Sequence, residues 1–318
     1  MKSPVLFIVF NRPETTRKVF QAIRGARPPK LYIAADGPRV ERPDEARRCA
    51  EVRRIAELVD WPCEIHRLFR DENVGCKLGV AGAVSWFFSQ ETEGIILVDD
   101  VLPVATFFDF CDEMLLKYRD DLRVAMVSGC NLVSNHFEGR ESYFFSRYNN
   151  IWGWASWRRA WQHFDVAMSA WPAWRDENGL ASVSGGNAFF VAYWKRAFDA
   201  AHGGSVDAWS YSWLLSTWRS GGLAILPALN QITNIGFGHD ATHTNGDPPK
   251  YISSSRPQPL SFPLVHPTVI AADARADSFI GSRIFGINAV GSIKSAVASH
   301  PIIKRFVGAL KPLKKLIR

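Results

Sequence analysis

Ile95-Ile96-Leu97-Val98-Asp99-Asp100 decides how this chain is to be read. Four branched apolar residues in a row, with no polar alternation, have the pattern of a short strand buried on both faces. Two carboxylates stand where that strand must end. The same arrangement recurs upstream. Val5–Phe10 is a continuous apolar run closed by Asn11-Arg12-Pro13. Leu31–Ala35 is closed by Asp36-Gly37-Pro38, and Ile65–Phe69 is soon followed by Asp71-Glu72-Asn73-Val74-Gly75. Between these runs the apolar spacing lengthens to three or four residues. Pro13 opens a helical stretch to about Arg24, with Val19, Phe20 and Ile23 as its stripe. Asp44 to Leu58, Gly75–Ser89 and Thr106–Tyr118 follow as helices, and Val124–Val127 as a fifth strand. Strands alternating with helices predict an α/β chain with a mostly parallel, doubly wound sheet.

Ligands of such sheets bind at the carboxyl ends of the strands, where the four polar segments just quoted lie. Asn-Arg-Pro after the first strand is not the GxGxxG of a dinucleotide site, and GxxxxGK[ST] and GxSxG are both absent. Dehydrogenase, P-loop ATPase and nucleophile-elbow hydrolase are thereby set aside.

The chain has 318 residues, 47% apolar and 22% charged, enough for a large core. Its formal charge is +7, but eight of the 38 basic residues and none of the 31 acidic ones lie between Ser278 and Arg318. The remainder is one charge negative, which is not the profile of a nucleic-acid binder. Five cysteines, all within the first 130 residues and with no CxxC pair, argue against a disulfide framework. The apolar run after Met1-Lys2-Ser3-Pro4 is stopped by Asn11-Arg12-Pro13, too early for a signal-peptide core. No stretch approaches the roughly 18 to 20 apolar residues of a membrane span. The expectation is a reduced, cytoplasmic protein.

Adjacent carboxylates at a strand's carboxyl end suit a hard divalent cation, Mg²⁺ or Mn²⁺, that completes its shell with phosphate oxygens and water. They equally suit a helix cap before Thr106 or an acidic turn. The second half of the chain is aromatic. Trp152-Gly153-Trp154 is followed by Trp157, Trp161 and Trp171, and later by Trp209, Trp213 and Trp218 at helical spacing. Most of these tryptophans are read as core. The glycine between Trp152 and Trp154 would let rings and backbone approach a flat ligand such as a sugar. Asn234-Ile235-Gly236-Phe237-Gly238 leads into a polar loop in which His243 is either a metal ligand or merely solvated.

Phe10-Asn11-Arg12-Pro13, Ile96-Leu97-Val98-Asp99-Asp100, Phe107-Phe108, Trp152-Gly153-Trp154 and Asn234-Ile235-Gly236-Phe237-Gly238 occur in an order that resembles bacterial GT-A-fold nucleotide-sugar glycosyltransferases with a Glu-Asp-Asp metal motif. It is also distantly similar to the N-acetylglucosaminyltransferase I type. The resemblance covers about residues 4 to 250. It implies a GT-A domain over 1–260, with a mostly parallel central sheet and flanking helices. Asn11, Arg12 and Asp36 would then cradle base and ribose, and Asn73 and Lys77 would border the sugar nucleotide. Asp99 would contact ribose or sugar, beside Trp152, Gly153 and Trp154. Asp100, with His243, would hold Mn²⁺ or Mg²⁺. The implied activity is inverting transfer of a sugar to a hydroxyl of a surface-polysaccharide or lipid-linked glycan acceptor. The chain departs from that pattern at two positions. Val98 stands where the motif has Glu, and Ser210 follows Trp209 where a catalytic Asp is usual. A serine hydroxyl is no base at neutral pH, so Asp207, close by if the helix begins early enough, becomes the candidate base. The same departures leave open a weakened domain that binds nucleotide sugar or glycan without efficient turnover.

Residues 261–277 read as a connector and 278–318 as a helical basic tail. Ile302, Ile303, Phe306, Val307, Leu310 and Leu313 recur at helical spacing among Lys304, Arg305, Lys311, Lys314 and Lys315. A basic amphipathic helix reads as an element for an anionic membrane surface, here the inner face; a packed C-terminal helix with a solvated basic face is the alternative.

Overall fold

Alternating strands and helices fill the first 130 residues of the computed structural model, which describes residues 1–134, 139–237 and 249–289. They are β1 (Val5–Val9), α1 (Pro13–Ala26), β2 (Lys30–Ala35), α2 (Pro43–Ala56), β3 (Glu64–Phe69), α3 (Gly75–Gln90) and β4 (Glu93–Val98). A short β5 (Val101–Pro103) precedes α4 (Thr106–Lys117) and β6 (Val124–Ser128). Each strand and helix expected in this part is present, with ends within two residues of those expected; β5 alone was not anticipated. Beyond it come β7 (Tyr143–Ser146), β8 (Trp154–Trp157), and helices α5 (Arg158–Trp161), α6 (Trp171–Asp176), α7 (Gly179–Ser184), α8 (Ala188–His202) and α9 (Trp209–Arg219). The last described elements are β9 (Leu223–Pro227), β10 (Ile232–Asn234), α10 (Lys250–Ser253) and α11 (Ala274–Arg283).

Among the described residues, eight strands form one sheet in the order β3-β2-β1-β4-β8-β6-β9-β7, and β5 pairs with β10 in a small second sheet. β1 runs parallel to β2 and β4, β2 to β3, and β6 to β9, while β8 and β7 run against their neighbours. Six of the eight strands therefore point the same way. The fold is mixed α/β, with a large, mostly parallel central sheet and flanking helices.

Period-2 geometry explains why these strands are apolar throughout. Val5, Phe7 and Val9 of β1, with Leu31, Ile33, Ile95 and Leu97, enter one core with α1, α2 and α4. Leu6, Ile8, Tyr32, Ala34 and Ile96 enter the other, with α3, α8 and α9. Neither face meets water, so alternation disappears. Each fully buried large apolar side chain contributes roughly 1.5–3 kcal/mol relative to an exposed one.

The C-terminal part differs from the expected connector. Leu260 and Leu264 are buried, the Ser142 N–H bonds the Val265 carbonyl, and the Asp273 N–H bonds the Phe145 carbonyl. Residues 265–273 thus run along the edge strand β7. Asp273 caps α11 by accepting the Arg275 and Ala276 N–H groups at 2.9 Å. Within α11, Ile280 is buried, and Asp277 accepts from Ser146 Oγ at 2.6 Å and Arg147 Nη1 at 2.9 Å. The expected boundary at 277/278 falls inside this helix. The basic amphipathic stretch beyond residue 289 lies outside the described residues. Among the described residues, no helix is long and apolar enough to cross a membrane.

Candidate functional site

A cleft of about 600 Å³ opens at the carboxyl ends of β1, β2 and β4. Its apolar lining comes from Ile8, Val9, Ala34, Gly79 and Val80, with Asp99 buried among them, and its polar lining from Arg12, Asp36, Arg39, Arg70, Asn73, Asp100 and Asp207. Strand topology creates it. β1, β2 and β4 are adjacent and parallel, so the polar segment following each one emerges on the same side.

The segment after β4 holds the deepest charge. Asp99 is buried, and its Oδ2 accepts the Phe10 backbone N–H at 3.1 Å. Burial first, and the neighbouring Asp100 second, push its carboxyl above the usual range, against the opposing pull of Arg12. Asp100 is more open and bonds Arg12 Nη1 through Oδ2 at 2.6 Å. The Asp100 carbonyl accepts the Ile235 N–H at 2.8 Å, which ties the β10 segment to this corner.

The segment after β2 is held by a buried carboxylate. Glu45, in the first turn of α2, has no exposed side-chain surface. It accepts the Arg39 backbone N–H at 2.8 Å, Arg39 Nε at 2.9 Å and Asn11 Nδ2 at 2.7 Å, and is ion-paired to Arg39 Nη2. The Arg39 hydrogen bonds, working against burial, draw its carboxyl down to about 2. Arg39 in turn lies over the Phe10 ring, 5.4 Å from its centroid, where a cation is attracted to the π face. Asp36 accepts the Val74 N–H at 3.2 Å on both oxygens. Asn73 donates from Nδ2 to the Gly37 carbonyl at 2.9 Å and accepts the Gly75 N–H. Burial raises the Asp36 carboxyl above its ordinary value.

The opposite wall is aromatic. Ile151, Trp152, Trp209 and Ser210 line it, and Phe237 meets Trp152 edge-on at 6.2 Å. Asp207 also lines the cleft and is exposed. It is not on α9, which starts at Trp209 with Ala208 as an extended N-cap; the helix begins too late for the placement expected from spacing. The Cys76 thiol, on α3, is pushed up by burial and then by the Asp207 and Asp100 carboxylates, so both walls converge on it.

Of the residues singled out in the sequence, Arg12, Asp36, Asn73, Asp99, Asp100, Trp152 and Asp207 are brought together here. Asn11 is not at the surface of the cleft: it is buried and holds Glu45 from behind. Lys77 lies in the first turn of α3, outside the lining. Trp154 has no exposed surface with which to meet a ligand. It packs between Trp209 at 5.8 Å and Trp213 at 5.9 Å. Gly153 serves the turn before it, with φ +60° and a would-be Cβ 2.5 Å from Ile232 Cδ1. His243 lies outside the described residues. Arg39, Arg70 and Glu45 were not anticipated, although the rule that selects Asp36 at the end of β2 also reaches Arg39, and Arg70 directly follows β3.

Among the described residues, no three His, Cys, Asp or Glu side chains stand together as a metal cage. Asp100, the more open of the adjacent carboxylate pair, could hold a cation that takes most of its ligands from a diphosphate and water.

No family model matches the chain, and no curated protein matches it. Among solved structures, HddC from Yersinia pseudotuberculosis aligns over 49% of this chain and 77% of its own, at 5% identity and a TM-score of 0.30. Mouse xyloside xylosyltransferase 1 in its apo form aligns over 68% of this chain and 81% of its own, at 8% identity and a TM-score of 0.33. Both are distant likenesses.

Proposed function

We propose that the chain is a GT-A-type glycosyltransferase that moves a sugar from a nucleoside-diphosphate sugar to an acceptor hydroxyl. The observation that supports this reading is the cleft itself. Its wall at the ends of β1 to β4 sets Arg12, Arg39 and Arg70 beside Asp36, Asp99 and Asp100, and its other wall offers Trp152 and the exposed Asp207. Guanidinium groups suit phosphate oxygens, carboxylates suit ribose and sugar hydroxyls, and a flat indole suits a sugar face.

In this proposal the base and ribose lie towards Phe10, Asp36, Arg39 and Asn73. The diphosphate lies towards Arg12 and Asp100. Mn²⁺ or Mg²⁺ held through Asp100 would neutralise charge on the departing diphosphate. The acceptor oxygen attacks the anomeric carbon as its bond to the diphosphate oxygen breaks, and the electron pair leaves with that oxygen. Asp207 takes the acceptor proton, and a single in-line displacement inverts the anomeric centre. Glu45 and Asn11 fix Arg39, while Trp154 and Trp209 fix the opposite wall; pre-set geometry of this kind lowers the barrier by removing reorganisation. The acceptor is proposed to be a surface-polysaccharide or lipid-linked glycan, reached at the inner membrane face through the basic tail.

A nucleotide-sugar panel with Mn²⁺, assayed for nucleoside-diphosphate release with and without glycan acceptors, tests the reading. Release with one donor, abolished by Asp207→Asn and restored in part at higher pH by added small bases, supports it. A second reading, binding without efficient turnover, is favoured by Ser210, which stands in the lining where a carboxylate base was expected. Tight nucleoside-diphosphate binding with no release from any donor would select it.

A further inference from the structure

Arg12 and Asp100 form a close ion pair at the diphosphate end of the cleft. The guanidinium lies 2.6 Å from Asp100 Oδ2, and both side chains are largely buried, at 19% and 15% exposure. The third side of the pair is closed by backbone. A Cβ on Gly236 would stand 2.7 Å from Arg12 Nη1 and would clash with Asp100 Oδ2. That backbone is pinned there, since the Ile235 N–H bonds the Asp100 carbonyl at 2.8 Å and Asn234 pairs with Val101.

A cation approaching Asp100 therefore meets a site whose Oδ2 oxygen is already taken by a positive charge. Two cations cannot share one carboxylate oxygen in a part-buried corner without strong repulsion. A diphosphate changes the balance, because it offers the guanidinium other anionic oxygens with the bidentate geometry that arginine prefers.

We propose that Arg12 is a latch on Asp100: in the nucleotide-free protein it excludes the divalent cation, and the donor's diphosphate draws it away. Cation binding then follows nucleotide binding, and the protein does not load metal without a substrate to use it. This rests on the nucleotide-sugar reading above. Gly236 is part of the device, since only a residue without a side chain lets the β10 segment close over the pair.

The test has two independent arms on the full chain. In the first, MnCl₂ is titrated calorimetrically into nucleotide-free wild type, Arg12→Met, and Arg12→Met combined with Asp100→Asn. The expected result is at least tenfold tighter Mn²⁺ binding by Arg12→Met, with the gain erased by the second change. Equal Mn²⁺ affinity in wild type and Arg12→Met would overturn the latch. Should Arg12→Met lose its fold by circular dichroism, Arg12→Gln replaces it, because it keeps a polar side chain against Asp100 without the positive charge, and the same tenfold gain is expected. In the second arm, UDP and GDP are titrated in EDTA. At least tenfold weaker binding by Arg12→Met supports the exchange, and unchanged binding overturns it. Failure of both nucleotides to bind wild type, with or without Mn²⁺, counts against the donor reading. The Mn²⁺ comparison still judges the latch by itself.

Discussion

The wall of the cleft formed by the ends of β1, β2 and β4 and the wall formed by Trp152 and the start of α9 are held by different forces. On the first, polar groups hold charge: Asn11 and Arg39 converge on Glu45, and Arg12 on Asp100. On the second, indoles hold indoles: Trp154 packs on Trp209 and Trp213, and Trp161 packs 5.0 Å from Trp213 and 4.1 Å from Phe164. The indole N–H groups of Trp154 and Trp213 are buried without a hydrogen-bond partner, so that wall gives up polar satisfaction for ring packing. Polar contacts fix direction and can be exchanged for a ligand's. Ring packing fixes position and has nothing to exchange. A cleft whose ligand is anionic on one side and sugar-like on the other makes use of both.

The aromatic wall should therefore be the costlier one to break. Trp154→Ala removes a side chain with no exposed surface from between two other indoles. Loss of roughly 3–5 kcal/mol in unfolding free energy is expected, read from urea denaturation followed by tryptophan fluorescence. A loss below 1 kcal/mol would mean that the cluster relaxes around the cavity and that the two walls are not held as differently as the structure indicates.

The polar wall should respond to pH instead. The folded-state pKa of Glu45 is depressed from 4.5 to about 2. Its contribution is therefore fully present above about 4.5 and is lost as pH falls through about 2. The full shift sets an upper bound of about 3 kcal/mol, reduced by the solvent that reaches the partly exposed Arg39. Glu45→Gln keeps the shape but not the charge, so wild type should lose stability relative to it on acidification within that window. At neutral pH the variant should bind nucleoside diphosphate more weakly, because Arg39 is no longer fixed. Parallel stability curves from pH 6 to 2 would break the idea that this buried carboxylate organises the wall.

Asp100→Asn separates binding geometry from chemistry on the same wall. Its fold should be kept, with a lower thermal midpoint because the part-buried Arg12 loses its charged partner, whereas donor turnover well below that midpoint should fall by about 100-fold, the usual effect of removing one group that stabilises transition-state charge. Equal turnover would move the diphosphate end of the cleft elsewhere.

The same contrast governs what could be read from sequence. β1, β2, β4 and their helices were legible because burial on both sheet faces leaves unbroken apolar runs such as Ile95–Val98, and because Asp36, Asp99 and Arg12 fall where those runs stop. The second wall carries no such punctuation. In Trp152–Trp157 every residue is aromatic, small or glycine, so neither a period of two nor one of 3.6 emerges, and β8 stayed hidden although it lies in mid-sheet. Trp154 and Trp152 look alike in sequence, yet one is sealed in the core and the other lines the cleft. Only antiparallel pairing of Trp154 with Ile96 and Ser128 decides which is which. Asn11 was misplaced for a related reason. A polar residue at a strand end is as ready to hold a buried carboxylate on α2 as to hold a ligand, and spacing does not report where Glu45 lies.

Gly153 joins the two walls and gives the smallest expected effect. Its φ of +60° costs any L-residue roughly 1–2 kcal/mol, and a methyl there would press on Ile232 Cδ1 at 2.5 Å. Ile232 begins β10, the segment that closes over Arg12 and Asp100. Gly153→Ala should therefore lower unfolding free energy by about 1–3 kcal/mol, and part of the strain should pass through Ile232 to the polar corner. Turnover would then fall more than the stability loss alone explains at temperatures well below the transition. If Ile232→Val, which shortens the contacting side chain, restores turnover to Gly153→Ala, the aromatic turn and the charged corner are mechanically linked. If stability falls and turnover at low temperature does not, the two walls act independently and the link through β10 is absent.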